Sequence, residues 1–365
     1  MALTNFAALT DEQLTMWKRD VWRAGRNSAF LNRFLGSGEN SMIQRITELT
    51  ESEKGARAVI TLVADLEGDG VPGDSQLEGA EEEIKSYDIV IQIDQLRHAN
   101  RLKGKMADQK SVVRFRENSK NVLGYWIGDR LDQLVFLTLS GEAYSLKNDG
   151  TARTGSQLAS LDYASDVTSP TSNRYFNWEG ASQAAGTLEA GDTAETTMLA
   201  PSWNMMLQLK AKAQNSYIKP LRGEMGEELY NVFMTPDGMA MLKRDSEFRE
   251  AQKDARERGA GNPLFKGATV YPVDGMNIYT FRHVFHPSTW AGSNKKGQAV
   301  LLCGSQALGF ADIGMPDWVE KKFDYDNQPG ISIGKICGLK KPVFRSLVSS
   351  QDEDFGVIRV NTLAQ

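Results

Sequence analysis

An apolar stripe at helical spacing runs through residues 108–139 and includes Val112, Phe115, Val122, Leu123, Trp126, Ile127, Leu131, Leu134 and Val135. The pattern predicts one helix of roughly 45 Å. The average helix has about 11–12 residues, so this one is a spine on which other elements must pack. Gly124 and Gly128 interrupt it, each weakening it by up to about 1 kcal/mol. They mark a bend or a close contact.

Two strand patterns precede the spine. Within residues 59–66, Ile60, Leu62, Ala64 and Leu66 fall on one face. Within residues 86–94, Tyr87, Ile89, Ile91 and Ile93 alternate with polar or smaller partners. Period two predicts half-buried strands. The connection between them, residues 67–85, is rich in glycine and acids, and an unstructured loop of that length is usually functional or ordered by a partner. At the N-terminus, Thr10 and Gln13 make a capping box. Leu14, Trp17, Val21 and Trp22 then form a helical stripe that needs a surface to bury it. Residues 42–49 also read as helix.

Residues 141–200 change to Gly, Ser, Thr, Asn, Asp and Ala with scattered aromatics, the composition of an extended surface excursion. After it, Ser202 caps a helix over residues 203–214 and residues 228–234 read as a strand. Thr235-Pro236-Asp237 opens a helix at a proline, and residues 239–258 read as helical and highly charged. Strands and turns dominate beyond Gly259, and no repeat of 20–50 residues is present.

The 365 residues carry a formal charge of −5, with 41% hydrophobic and 24% charged residues. These fractions exclude wholesale disorder. The longest apolar run, residues 299–303, is far short of the ~20 residues of a membrane-spanning helix. No secretory signal is visible. Mild acidity argues against a protein that grips DNA through a basic stripe. Two cysteines, Cys303 and Cys337, are too few for a disulfide framework and read as buried thiols.

No residue pattern assembles a catalytic site. Gly330-Ile331-Ser332-Ile333-Gly334 matches a nucleophile elbow literally, but a strand pattern continues after the serine and no histidine lies beyond His286. Asp65, Glu67 and Asp69 resemble the start of a calcium loop whose twelfth position is Gln76 instead of glutamate. His283 and His286 lack the spacing of a zinc pair. Gly334-Lys335 lacks the phosphate-loop context. The expectation is therefore no catalytic residue, no metal and no cofactor.

Charge is more informative. The loop carries Glu67, Asp69, Asp74, Glu78, Glu81, Glu82 and Glu83. The segment after it carries Arg97, Arg101, Lys103, Lys105, Lys110, Arg114, Arg116 and Lys120 against Asp108 and Glu117. Each block reads either as a solvated face or as one half of an inter-subunit contact. The candidate contact residues are Trp17, Trp22, Glu78, Glu81, Glu82, Glu83, Arg97, Arg101, Arg114 and Arg116.

Several motifs occur together in order: Phe34-Leu35-Gly36, Gly70-Val71-Pro72-Gly73-Asp74-Ser75-Gln76-Leu77-Glu78-Gly79, Tyr87-Asp88 and Ile93-Asp94-Gln95-Leu96-Arg97-His98. Further along come Asn262-Pro263-Leu264-Phe265, Asp324-Tyr325-Asp326-Asn327-Gln328-Pro329-Gly330 and Asp354-Phe355-Gly356-Val357-Ile358. With them the chain resembles the major capsid proteins of tailed phages in the branch typified by coliphage N-four. Residues 141–200 and 316–322 diverge from that pattern.

The resemblance implies an α+β, Hong Kong 97-type capsid fold. Residues 1–57 would be the N-terminal arm, 58–100 the extended-loop hairpin and 101–140 the spine of the peripheral domain. Residues 141–309 would be the axial domain with a surface insertion at 141–200, and 310–365 the strands returning to the peripheral domain. It implies a structural protein without enzymatic activity, self-assembling into hexamers and pentamers around double-stranded DNA. The expected place is the virion, after assembly in the host cytoplasm. Expected partners are a scaffold, the portal and a cement or decoration protein, with no membrane. No coiled-coil prefix precedes the arm, so a fused scaffolding domain is not expected. Competing readings are an encapsulin-like nanocompartment shell, a minor virion or decoration protein, and a metal-dependent hydrolase using the acidic loop.

Overall fold

The computed structural model describes residues 29–47, 57–63, 70–73, 76–79, 81–82, 86–110, 115–180, 186–192, 197–223, 226–255, 270–290, 295–346 and 349–364. Strands β1 (Leu35–Gly36), β2 (Ile43–Ile46), β5 (Asp94–Arg101), β13 (Leu308–Phe323) and β14 (Gln328–Lys340) form a five-stranded sheet in the order β1-β2-β13-β14-β5. Strands β3 (Arg57–Val63) and β4 (Ser86–Gln92) form a separate antiparallel hairpin. A second sheet of eight strands contains β6 (Tyr175–Glu179), β7 (Thr187–Ala190), β9 (Glu228–Met234), β10 (Val270–Val273), β11 (Met276–Thr280), β12 (Gly297–Cys303) and β17 (Val357–Leu363). Its order is β10-β11-β9-β12-β17-β6-β7, with β8 (Leu221–Arg222) on β9. A small hairpin pairs β15 (Val343–Arg345) with β16 (Asp352–Asp354).

The spine reading holds for α2 (Phe115–Ser140), preceded by the short α1 (Lys105–Lys110); residues 111–114 lie outside the described set. The first half of α2 is amphipathic. From Leu131 onward every residue but Gln133 is buried, as befits a helix end enclosed on all sides. It packs against β14 and β12.

The large core lies between α2, the five-stranded sheet and one face of the eight-stranded sheet, and includes Leu134, Phe136, Leu301, Cys303, Phe310 and Leu339. A second core covers the other face. There Val300, Leu302, Val232 and Val360 meet α3 (Trp203–Asn215), α4 (Pro236–Leu242) and α5 (Ser246–Ala255). Strand β12 is buried at every position, because its alternate residues feed different cores. Its apolar run at 299–303 follows from that.

Residues 42–49 depart from the helical reading. Ile43–Ile46 form strand β2, paired in parallel with β1 and with Leu308–Ala311 of β13. A lone eight-residue helix is marginal in water, and the sheet edge gives those backbone groups partners. The charged helix over 239–258 divides into α4 and α5. Between them the Asp245 carboxylate accepts from the Trp203 backbone N–H at 2.8 Å, bracing the start of α3 instead of extending a helix. Ser202 caps α3 and Thr235 caps α4, as the sequence indicates.

Residues 141–200, expected as a surface excursion, supply core anchors as well as exposed loop among their described residues. Tyr144 and Tyr163 belong to the large core and Phe176 and Trp178 to the second. Strand β6 pairs in parallel with β17. Aromatic anchors thus outweigh the polar composition. The expected grouping of 310–365 also divides. Strands β13 and β14 sit in the sheet on α2, whereas β17 lies between β12 and β6 in the other sheet.

Buried ion pairs staple the chain's end. Lys341 meets Asp354 at 2.8 Å and Arg174 meets Glu353 at 2.8 Å, all four side chains nearly fully enclosed. Burial pushes the Lys341 ammonium down and the Asp354 carboxyl up from their ordinary values.

Truncation tests whether residues 141–200 carry core weight. Trp178→Ala is expected to cost about 3–5 kcal/mol, read by denaturant unfolding of the full chain. Unchanged stability would return the segment to the surface.

Candidate inter-subunit surfaces

The hairpin β3–β4 is held at its base by glycines. Gly309 and Ala311 of β13 stand opposite Lys340 and Gly338 of β14, so all four share one face of the sheet. Ala58, Ile60 and Ile91 of the hairpin pack there with Ala311 and Ile46. A Cβ at Gly309 would lie 2.4 Å from Ile60 Cδ1, and one at Gly338 2.2 Å from the Gln92 carbonyl oxygen. Only glycine admits so close an approach. Polar clamps finish the base: Lys340 Nζ donates to the Val90 carbonyl at 2.8 Å and to Asp166 Oδ1 at 3.0 Å. The other Asp166 oxygen accepts from the Gln92 N–H at 2.8 Å.

Beyond the base, the ladder pairs Ile60 with Ile89 and Leu62 with Tyr87. Residues 64–69, including the three acids of the calcium-like pattern, lie outside the described residues. The loop positions that are described, Glu78, Glu81 and Glu82, are exposed, and Glu81 Oε2 accepts from the Gly79 N–H at 2.6 Å. No ion pair joins Glu78 or Glu81 to Arg97, Arg101 or Arg116 within the chain, among the described residues.

The basic candidates differ among themselves. Arg97 and Arg101 share one exposed face of edge strand β5. The Arg101 guanidinium sits 4.4 Å from the centre of the Phe323 ring and donates to Gln328. Arg116 is engaged in a two-pronged pair with Glu320, Nε and Nη2 each donating at 3.0 Å. Trp17, Trp22, Glu83 and Arg114 lie outside the described residues.

At the far end of β13–β14, the turn Asp324-Tyr325-Asp326 holds three successive left-handed residues. It is braced by Asn327, whose Oδ1 accepts from the Lys105 N–H at 3.2 Å, and by Gln328, which donates to the Lys103 carbonyl at 3.0 Å. Tyr325 at its apex is fully exposed.

A 3-10 helix over Phe30–Phe34 has no side-chain cap of its own. Asp132 of α2 supplies one from 102 positions away: Oδ2 accepts from the Phe30 N–H at 2.8 Å and Oδ1 from the Leu31 N–H at 3.2 Å. Phe30 stacks on Phe281 at 4.1 Å, and Phe34 meets Tyr279 edge-on at 4.8 Å.

The motifs weighed for chemistry take structural places. Gly330–Gly334 lies inside β14, where Ser332 pairs with Val319 and Ala99. Lys335 is buried against Asp312, which also meets Arg45 at 2.6 Å. His283 Nε2 lies 2.7 Å from Asp129 Oδ1, and His286 Nδ1 lies 2.6 Å from the Val284 carbonyl oxygen. Both cysteines are buried thiols, and burial raises them, Cys337 to about 11. Among the described residues no cluster of His, Cys, Asp and Glu is placed to hold a metal, and no helix is long and apolar enough to cross a membrane.

Gly309, Gly338, Lys340, Asp166 and Asp132 were not singled out by sequence reasoning. For Gly338 the signal was the run of small residues at Gly330, Ser332 and Gly334, broken by Ile336 and resumed at Gly338, on one face of β14. Lys340, Asp166 and Asp132 are joined by contacts 74 or more positions apart, which no local pattern carries.

Comparison with known proteins agrees with this architecture. A model of the family described as phage capsid protein matches residues 5–365. The major capsid protein of Pseudomonas phage KPP25 is 50% identical, the match covering 99% of this chain and 98% of that one. Among solved structures, the capsid of Ralstonia phage GP4 superposes with a TM-score of 0.73 at 26% identity, over 92% of this chain and 91% of that one. The capsid asymmetric unit of cyanophage Pam1, 18% identical, shares the fold with a TM-score of 0.69 over 100% of this chain and 96% of that one.

The chain belongs to the phage capsid protein family. Its α+β fold is the Hong Kong 97-type capsid fold, and it is a structural, shell-forming component of the virion.

A side chain at Gly338 tests the glycine seat. Gly338→Val is expected to lift the hairpin base, raising amide hydrogen exchange in residues 86–92 by tenfold or more while leaving β17 unaffected. Unchanged protection there would mean the seat is not needed.

Proposed function

We propose that this chain is the major capsid protein of a tailed phage in the branch typified by coliphage N-four, and that its hexamers and pentamers close an icosahedral head around double-stranded DNA. One observation carries the assembly mechanism. Among the described residues, the β3–β4 hairpin packs on its own chain through Ala58, Ile60 and Ile91 at its base, while its ladder runs on to Val63 and Ser86. A two-stranded hairpin is marginal alone in water, so a neighbouring subunit is the natural support. In this reading the arm is residues 1–57, the extended loop 58–100, the spine segment 101–140, the axial domain 141–309 and the returning strands 310–365. Strand β17 then ties the last group to the axial sheet. The net charge of −5 suits a shell that encloses DNA without binding it tightly. Assembly takes place in the host cytoplasm, with a scaffold, the portal and a cement or decoration protein as further partners.

Deleting residues 67–85 is expected to abolish closed particles while leaving a folded subunit, read by negative-stain microscopy and sedimentation. Normal shells from the deletion would remove the lacing role.

The acidic tip is assigned to the basic face of β5 on an adjacent copy. Reversing Glu81, Glu82 and Glu83 to lysine is expected to impair assembly. Reversing Arg97 and Arg101 to glutamate should restore part of it. Arg116 is a poor choice for that rescue, because its reversal breaks the pair with Glu320. Absence of any rescue would count against this pairing.

A further inference from the structure

The Asp132 carboxylate is buried against the backbone of Phe30 and Leu31, a stretch otherwise held by aromatic contacts and the short β1–β2 pairing. It is 3% exposed, and among the described residues no cation lies within ion-pairing distance of it. Its two oxygens hold the first two N–H groups of the 3-10 helix at the arm's root. A cavity lies beside it, lined on the root side by Ala29, Leu31 and Leu35 and on the body side by Gly128, Leu131 and Phe310. The root is therefore held by an aromatic contact that does not respond to pH and by a carboxylate that does.

We propose that attachment of residues 29–36 to α2 is a pH-sensitive latch, keyed by Asp132 and tighter in mild acid than at neutral pH.

The charged groups around Asp132 set the direction. Enclosure in an apolar wall is the largest influence and disfavours the ionised form; the N–H groups of Phe30 and Leu31 oppose it. Asp129, one turn earlier on α2, adds like charge. Arg282 attracts it weakly, being paired with Asp129 at 2.6 Å, and His283 lies against the same Asp129 oxygen. Asp312 lines the cavity from β13 but is matched by Arg45 from β2 and Lys335 from β14. Arg33 lies over the Phe30 ring, 4.7 Å from its centre. The balance raises the Asp132 carboxyl to about 6.

The sign follows by linkage. A carboxyl raised on docking binds a proton more tightly when docked than when released. Docking is strongest below the released value, near 4, and weakens as pH rises towards 6. The whole window spans roughly a hundredfold in the docking equilibrium. A neutral carboxyl still accepts the shorter bond through its carbonyl oxygen. At neutral pH the root is held by the aromatic cluster against the cost of a buried charge, and so is poised to release. The latch lies within one subunit and does not depend on shell formation.

Amide hydrogen exchange on the purified full-length chain tests it, with protection corrected for the intrinsic pH dependence of exchange. The peptide covering residues 29–36 is expected to gain roughly tenfold in protection between pH 7.5 and pH 5. Asp132→Asn should flatten this response, whereas Asp129→Asn should keep it. A pH-independent root in the wild type overturns the latch, as does a full response in Asp132→Asn. Should Asp132→Asn fail to fold, the wild-type peptide at residues 357–363 decides. An equal response there marks a global effect and overturns the proposal.

Discussion

The second half of α2 is enclosed by protein on every side, and the rest of the subunit is arranged to make that possible. A helix whose whole circumference is apolar needs two walls. The five-stranded sheet is one and the eight-stranded sheet the other. Enclosure then dictates the polar chemistry within. Thr138 returns its hydroxyl to the Leu134 carbonyl at 2.8 Å and shares a 2.7 Å bond with the Tyr144 hydroxyl. Asp132 finds backbone donors instead of water. Each is a buried polar group supplied with a partner.

The opposite face of the five-stranded sheet shows how a shell protein can present an arm without destabilising itself. The strand β14 alternates apolar residues toward α2, such as Ile331, Ile333, Cys337 and Leu339, with small ones on the other side. The small side forms a shallow seat, and Lys340 fixes the hairpin's position by bonding to its backbone and to Asp166. The hairpin thus leaves the body in a direction fixed at its base.

Much of this was legible from sequence where a single periodicity dominated. The spine, the paired strands within 59–63 and 86–92, the cap at Ser202 and the helix start at Pro236 all rest on local spacing or local hydrogen bonds, and those interactions are short in sequence. Strands β2 and β5 were not legible. Ile43–Ile46 is too short to show a period, and Gln95, Arg97 and Arg101 make β5 read as a charged surface. Residues 141–200 misled because composition was weighed above a few anchors. Trp178 and Tyr163 are sparse but fully buried. The charge blocks were legible as charged stretches, but the pairing of Arg116 with Glu320, 204 positions away, was not. The clamp at Asp132 depends on tertiary proximity alone.

The sharing of β12 between two cores has a mechanical consequence. Leu301 and Leu302 are adjacent in sequence yet belong to different hydrophobic clusters. A force that pulls on one half of the subunit is transmitted to the other through a backbone paired along its whole length to β17 and, over Leu301–Cys303, to β9. The two halves therefore strain together as one stiff plate, and the compliance a closed shell needs is left to its peripheral attachments.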